Sequence, residues 1–517
     1  MKNGLKEAIN EKDNLTVDEL SVFCKRKGFA YRSGEIYGGL AGFYDYGHLG
    51  ILLKRNFENI WRNYFLGLND NFVEIEASEI MPEKVFVASG HLKNFNDFAS
   101  KCKKGHIERA DHLLEKKLNK RFEGLSSEEL LKEIKDNKVT CSICNAQIES
   151  VEIANMMFPL SLGVGNSTRG FLRPETAQSS YVNFKMQAEV MRKKFPLGLA
   201  LIGKAYRNEL SPRNFLLRQR AFTQAELQIF FNPSKINEHE DFDSIKNYTL
   251  RIVLSDNRSK GIQKVKCQEL IKRLPKFYVY HMAKVQEFYL NVLKLPEEKF
   301  RFYELNEKER AFYNKYHFDM EVELVSLVWT EMGGVHYRTD HDFKGHQESS
   351  KQNMMIFDEE SKEKFIPHVL ELSFGVERNF YALMNFAYNF DKKRNNVVLK
   401  LNPNLASVKA SVFPIIKDEK MTKIAEEIYK ELKKEWNVSY DESGSVGRRY
   451  SRNDEIGTPL CITIDEDSVK DKSVTLRDRD TTEQIRAKIS EIKEIVKKVI
   501  DGHNVLKLGK IVKTRVK

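Results

Sequence analysis

The chain has 517 residues, 41% hydrophobic and 31% charged, enough for two to four packed domains and too apolar for a disordered chain. No apolar run approaches a membrane span, and residues 1–14 lack the apolar stretch of a signal peptide, so the expected location is cytoplasmic, with no membrane contact. A net charge of +11 suits a polyanionic partner, and six scattered cysteines argue against a disulfide scaffold.

Residues 35–50 read EIYGGLAGFYDYGHLG, after which Leu49, Leu53, Phe57, Ile60 and Tyr64 share one face of a helix. The stretch FVEIEAS, from Phe72, alternates like a strand and is closed by Pro82. Residues 93–149 turn rich in Lys and Glu, with helical spacing in ADHLLEKKLNKRF and SSEELLKEIKD, and read as an insertion. Within it, Cys102, His106, Cys141 and Cys144 offer three thiolates and an imidazole. Two readings stand there: tetrahedral structural Zn²⁺, or ordinary reduced cysteines beside a surface histidine. Cys24, Cys267 and Cys461 have no partner pattern and read as packing residues.

Strand-like residues resume near Val151 and lead into RGFLRPETAQSSYVNFK, residues 169–185. Residues 205–228 read AYRNELSPRNFLLRQRAFTQAELQ, which places Arg207 and Glu209 before a polar loop and Arg218, Arg220, Phe222 and Glu226 after it. Guanidinium forks match phosphates and carboxylates, a carboxylate accepts from an adenine amino group, and a ring stacks under a base. The order describes a nucleotide pocket. The other reading, a charged hairpin with a solvated arginine face, is weakened by ELSFGVER at 371–378, which repeats the acid–arginine constellation.

Residues 232–323 read as a second insertion, helical around FYVYHMAKVQEFYLNVLK, followed by VSLVWTEMGGVHYRTDHDF from Val325. After Asn395 short strands alternate with helices: KASVFPII, PLCITID and SVTLRDRD as strands, KIAEEIYKELKKEW and TTEQIRAKISEIKEIVKKVI as helices. This predicts an α/β domain with a mostly parallel sheet. The last twelve residues carry five cationic side chains and no acid, suiting either a phosphate backbone or a strand with a basic outer face.

The segments around Arg207 and Arg378 resemble motifs 2 and 3 of class II aminoacyl-tRNA synthetases. The helix, strand and Pro82 resemble motif 1, which forms the dimer interface of that class. GGLAGFYDYG, RPETAQ, WTEMGG, the Glu-x-Ser of ELS, and GSVGRRYSRNDEIGTPLCITID at 444–465 narrow the resemblance to the homodimeric glycyl-tRNA synthetase family. It covers nearly the whole chain and is weakest in the two insertions. It implies an α+β class II catalytic domain, an antiparallel sheet flanked by helices, over 1–92 and 150–394, with a helical insertion at about 232–323. It further implies the insertion at 93–149 and a C-terminal α/β anticodon-binding domain over 395–517. The implied activity joins glycine to tRNA(Gly) through glycyl-adenylate, with ATP as substrate, Mg²⁺ as cofactor and a second copy of the chain as partner.

The resemblance also implies residue roles. Arg207 would contact the α-phosphate and the glycine carboxylate, Glu209 the adenine amino group, and Arg218 the γ-phosphate. Phe222 would stack under adenine, and Arg378 would hold the γ-phosphate from the other side and cover the base. Asn208, Leu217, Glu331, Met332 and Gly375 would complete the ATP site. Glu175, Glu226 and Ser373 would take the glycine ammonium, with Arg109, Phe222, Glu371 and Gly375 around them. Glu371 is the first choice for Mg²⁺. Other readings stand beside these: ion-pair carboxylates for Glu331 and Glu371, a solvated helix arginine for Arg109, and a helix-start pair with Glu377 for Arg378. His48, Ser179, Ser180 and Leu372 depart from the family pattern beside expected contacts. Arg448, Arg449, Arg452, Arg477 and Arg479 suit RNA contact or pairing with neighbouring acids. The rivals are another class II synthetase, for serine, proline or threonine, and an RNA-binding regulator without catalysis. The latter should have lost ATP-site arginines, and Arg207, Arg218 and Arg378 are all present.

Overall fold

The computed structural model describes residues 15–512 apart from 119, 121, 123–124, 165–167, 193 and 359–361. Residues 1–14 and the final five of the basic tail, on which the export and phosphate readings bear, lie outside the described residues.

Nine strands make the central sheet: β1 (Phe72–Glu74), β2 (Leu197–Tyr206), β3 (Ala221–Phe231), β4 (Thr249–Val253), β5 (Gln263–Lys266), β6 (Phe300–Glu304), β7 (Tyr316–Glu323), β8 (Trp329–Thr339) and β9 (His368–Gly375). Their order is β5-β4-β6-β7-β8-β9-β3-β2-β1. Only β1 with β2 and β4 with β6 pair in parallel; the long central ladders are antiparallel, as expected. Helix α1 (His48–Leu66) buries Leu49, Leu53, Phe57, Trp61 and Phe65, one residue per turn. Trp61 packs edge-on and Phe65 at a tilt against Phe374 of β9, with ring centroids 6.0 and 4.9 Å away. Ile60 and Tyr64 flank this line half-buried, because a four-residue step drifts around the helix. Burial at about 1.5–3 kcal/mol per large side chain fixes α1 under the site.

Residues 93–149 include a three-stranded sheet (Asn96–Cys102, Ile107–Arg109, Ile148–Asn155) and helices α2 (Ala110–Leu118) and α3 (Ser127–Asp136), around their own core of Leu113, Leu114, Leu130 and Ile134. The strand Ile148–Asn155 runs across the expected division at 149/150. Helix α4 (Ala177–Met191) follows the RPET turn.

Two expectations need correction. Residues 232–323 contain one long helix, α5 (Lys276–Glu287), but they also supply β4 to β7, so this stretch extends the central sheet instead of forming a helical insertion. β4 is a short apolar run, which periodicity does not separate from buried helix, and β5 and β6 are only four and five residues long. Helix α6 (Val376–Ala387) then leads out of the central sheet.

The second correction concerns the C-terminal sheet, which is mixed. Its strands are β10 (Ala410–Pro414), β11 (Val438–Tyr440), β12 (Leu460–Ile464), β13 (Ser473–Asp478), β14 (Gln484–Lys488) and β15 (Lys510–Val512), in the order β11-β10-β12-β13-β14-β15. Helices α7 (Glu419–Leu432) and α8 (Val446–Ile456) carry β10 to its parallel neighbours β11 and β12. Beyond β12 all three pairings are antiparallel. The six-residue helix α9 (Glu466–Asp471) is too short for a crossover, and residues 479–483 form a hairpin. The stretch 481–500, expected as one helix, opens as β14 and only then becomes α10 (Ile492–Ile500).

The two sheets are tied together. Arg394 donates to Asp454 at 3.2 Å and to the carbonyls of Arg479 and Asp480 at 2.7 and 2.8 Å. Arg477 and Arg479 are buried against Asp454 and Asp480, and Arg449 against the Pro414 carbonyl, which leaves Arg448 and Arg452 as the exposed members of the set considered for RNA. No described helix is long and apolar enough to cross a membrane.

Candidate active site

A cleft of about 620 Å³ lies on one face of the central sheet. Strand side chains alternate between faces, so the register decides which residues meet there. On β3 the series is Phe222, Gln224, Glu226 and Gln228. Opposite the last three stand Gly375, Ser373 and Glu371 of β9. Gly334 and His336 of β8 face Ser373 and Glu371, and Asp319 and His317 of β7 face Gly334 and His336.

The arginine-rich end is built by the loop between β2 and β3 and by the start of α6. Arg207 donates from Nε to the Pro174 carbonyl at 3.1 Å. Its guanidinium stacks 5.2 Å from the Phe222 ring and 5.3 Å from that of Phe95, and its terminal nitrogens have no partner among the described residues. Arg218 donates to Glu209 at 2.8 Å. Arg378 pairs with Glu331 at 2.9 Å and donates to the carbonyls of Leu217 and Glu331 at 3.3 and 3.0 Å. It does not pair with Glu377, which is buried and accepts from the Thr223 N–H at 2.6 Å and from Lys204 at 3.2 Å. Met332, Gly375 and Arg213 also line this end.

The acidic end is sealed. Arg338, 1% exposed, donates to Asp342 at 2.9 Å, Glu371 at 3.1 Å and Glu175 at 3.2 Å, with the Tyr313 ring 4.0 Å away. Thr176 and Ser373 donate to the two oxygens of Glu226 at 2.6 and 2.8 Å. Burial, with the neighbouring charges of Glu371 and Glu175, pushes the Glu226 carboxyl up to about 8. Burial acts the same way on Glu175, but Arg338 and His91 outweigh it and hold that carboxyl well below the usual range. The site therefore keeps one ready ion and one carboxyl near neutrality.

Most sequence-predicted residues meet in this cleft: Glu175, Arg207, Glu209, Leu217, Arg218, Phe222, Glu226, Glu331, Met332, Glu371, Ser373, Gly375 and Arg378. Two do not line it. Asn208 lies behind it, its N–H bonded to the Met156 carbonyl at 2.8 Å. Arg109 is held by Asp111 at 2.7 Å and Asp97 at 3.3 Å; its neighbour on α2, His112, reaches Arg218 at 3.3 Å instead. Glu371 is 4% exposed and accepts from Arg338 and Gln228. That environment suits a positioning carboxylate better than a Mg²⁺ ligand. The sequence reading passed over Arg338, Asp342, Thr176, His317 and His336. The available signal was alternation in GGVHYRTD, which puts Gly334, His336 and Arg338 on one face.

In the insertion, the donor atoms of Cys102, His106, Cys141 and Cys144 all lie within 4.8 Å of one another. Cys102 Sγ is 3.8 Å from Cys144 Sγ, and His106 Nδ1 is 3.2 Å from Cys144 Sγ and 3.7 Å from each of the other two.

Residues 165–386 match the tRNA synthetase class II core domain (G, H, P, S and T), and residues 409–499 match an anticodon binding domain. The glycine–tRNA ligase of Pyrococcus furiosus is 37% identical over 93% of this chain and 99% of its own length. That of Methanococcus maripaludis is 32% identical over 93% of this chain and 99% of its own. Among solved structures, prolyl-tRNA synthetase from Cryptosporidium parvum, complexed with halofuginone and AMPPNP, superposes with a TM-score of 0.59 at 13% identity, covering 95% of this chain and 77% of that one; this likeness bears on fold alone. With the ordered arginines, the sealed acidic pocket and these relatives together, the chain belongs to the glycine–tRNA ligase family of class II aminoacyl-tRNA synthetases.

Proposed function

We propose that this chain joins glycine to tRNA(Gly) in two steps. The glycine carboxylate attacks the α-phosphorus of ATP in line, forming glycyl-adenylate and releasing pyrophosphate. The terminal ribose hydroxyl of the tRNA then attacks the activated carbonyl and releases AMP. The observation that carries this reading is one cleft with an arginine-rich end and a sealed acidic end. A nucleoside triphosphate brings negative charge to the first, and an amino acid brings an ammonium to the second.

Neither step needs a protein nucleophile; catalysis comes from positioning and charge stabilisation. Arg207, anchored through Nε to Pro174, presents its outer nitrogens to the α-phosphate and the glycine carboxylate. Arg218 and Arg378 exchange Glu209 and Glu331 for the γ-phosphate, which frees Glu209 to accept from the adenine amino group. The base lies between Phe222 and Arg378. Glu175, Glu226 and Ser373 receive the ammonium. Mg²⁺ would neutralise phosphate charge, and Glu331, 49% exposed at its side chain in the cleft, fits a hard cation better than the enclosed Glu371.

The four-residue Cys/His cluster fits structural Zn²⁺: metal–ligand bonds of about 2.0–2.3 Å in a tetrahedron separate the ligands by roughly 3.5–3.8 Å. We further propose a homodimer in the cytoplasm. Exposed Ile36, Tyr37 and Leu40, in the segment typical of the dimeric family, support the first. Radiolabelled glycine should become acid-precipitable on tRNA(Gly) in an ATP-dependent manner; uncharged tRNA after incubation with folded protein would sink the reading.

A further inference from the structure

The two steps above leave a pair of cleft residues without a task. His317 and His336 face one another across β7 and β8, their ring centroids 4.1 Å apart. Asn314 Nδ2 donates to both Nδ1 atoms, at 3.4 and 3.1 Å, so the remaining hydrogen of each ring sits on Nε2. Those Nε2 atoms turn toward carboxylates, His317 to Asp319 at 3.0 Å and His336 to Glu371 at 3.5 Å. Each ring is therefore pinned at both ends, and their side chains are only 12% and 14% exposed.

The rings also cover a gap in the sheet. Gly334 stands between Ser373 and Asp319, in the row that begins with Glu226. A Cβ there would lie 2.4 Å from His336 Nε2 and 3.2 Å from His317 Nε2. The imidazole tips thus occupy the space beside Ser373 in which a side chain of residue 334 would stand. This is the flank of the pocket assigned above to the glycine ammonium, and the inference rests on that assignment.

We propose that His336, backed by His317, is the wall that limits the amino-acid pocket to glycine. Glycine offers no side chain to read, so alanine must be refused by volume. Rejecting one methyl needs a packed surface that does not yield. A planar ring with two torsions, fixed by Asn314 and Glu371, yields less than an aliphatic chain of similar size. Asp319 holds the second ring behind it, and Gly334 is the notch that lets both lean over the sheet.

The test is ATP–pyrophosphate exchange with glycine, L-alanine and D-alanine on the full chain. His336→Ala should raise the alanine-to-glycine ratio of kcat/KM at least about tenfold for one of the alanine enantiomers, the scale of one methylene's discrimination. His336→Gln, which restores most of the volume, should return the ratio toward that of the unaltered protein. A loss of packing alone would lower both activities without changing their ratio. If His336→Ala does not fold, His317→Ala removes the backing and should raise the same ratio about threefold. An unchanged ratio in a folded variant that still activates glycine overturns the wall while leaving the glycine reading intact. Absence of glycine-dependent exchange in the unaltered protein overturns both.

Discussion

The two ends of the cleft handle charge in opposite ways. At the arginine-rich end Arg207, Arg213, Arg218 and Arg378 meet two acids, Glu209 and Glu331. These pairs are partly open to solvent, with 24% exposure for Arg218 and 32% for Arg378, so a phosphate can replace a carboxylate at small cost. At the acidic end stand four carboxylates, Glu175, Glu226, Asp342 and Glu371, none more than 6% exposed, and the one guanidinium of Arg338 pairs with Glu175, Asp342 and Glu371. Buried charge there is tolerated only because it is paired, hydrogen-bonded or neutralised by a proton. One end is a loose reserve of positive charge awaiting an anion; the other is a rigid, under-neutralised box awaiting a cation.

That contrast breaks first at Arg338. Replacing it with Met leaves Glu175, Asp342 and Glu371 buried without their shared cation, and should cost about 3–5 kcal/mol of stability in urea unfolding, with loss of glycine-dependent exchange. The same change at Arg218 or Arg378 should leave stability within about 1 kcal/mol, because those pairs are partly exposed. Equal losses at both ends would remove the distinction.

The next effect is a proton. Glu226 sits near 8 in the folded protein, above its unfolded value, so the folded state holds the proton more tightly. Its contribution to stability is full below about pH 4.5 and is lost as pH rises to about 8. The proposed ammonium contact needs the ionised form, so glycine affinity should strengthen with pH, by up to about tenfold per unit below 8. Glu226→Gln should flatten this profile and weaken glycine binding at every pH; a profile unchanged by the substitution would mean another group titrates.

The smallest effect should come from outside the cleft. His112 of α2 reaches Arg218, and α2 begins four residues after His106 of the Cys/His cluster. Removing the proposed Zn²⁺ with a chelator should raise the KM for ATP a few-fold while leaving the KM for glycine unchanged, because Glu226 and Arg338 stand on the central sheet and its flanks. Metal analysis should find one Zn²⁺ per chain before treatment.

The arginine-rich end was the more legible from sequence. Arg207, Arg218, Phe222 and Arg378 fall in short runs whose spacing reflects one hairpin and one strand–helix junction, so local order predicts spatial order. The acidic end is assembled from the RPET turn, β3, β8 and β9, and Arg338 and His336 carry no local signal beyond strand alternation. The same limit explains the C-terminal sheet: its alternating elements were visible, but strand direction depends on the length of each connection, and α9 is too short to cross over. It also explains Arg109, which ends the strand Ile107–Arg109: the helix after it was foreseen, but His112 on that helix makes the contact.

The most direct measurement is ATP–pyrophosphate exchange across the twenty amino acids, with Arg207→Ala as its control. The account predicts exchange with glycine alone, reduced at least about a thousandfold in the variant while the fold is retained. Exchange with serine, proline or threonine instead, or none at all in a folded protein that binds ATP, would contradict it.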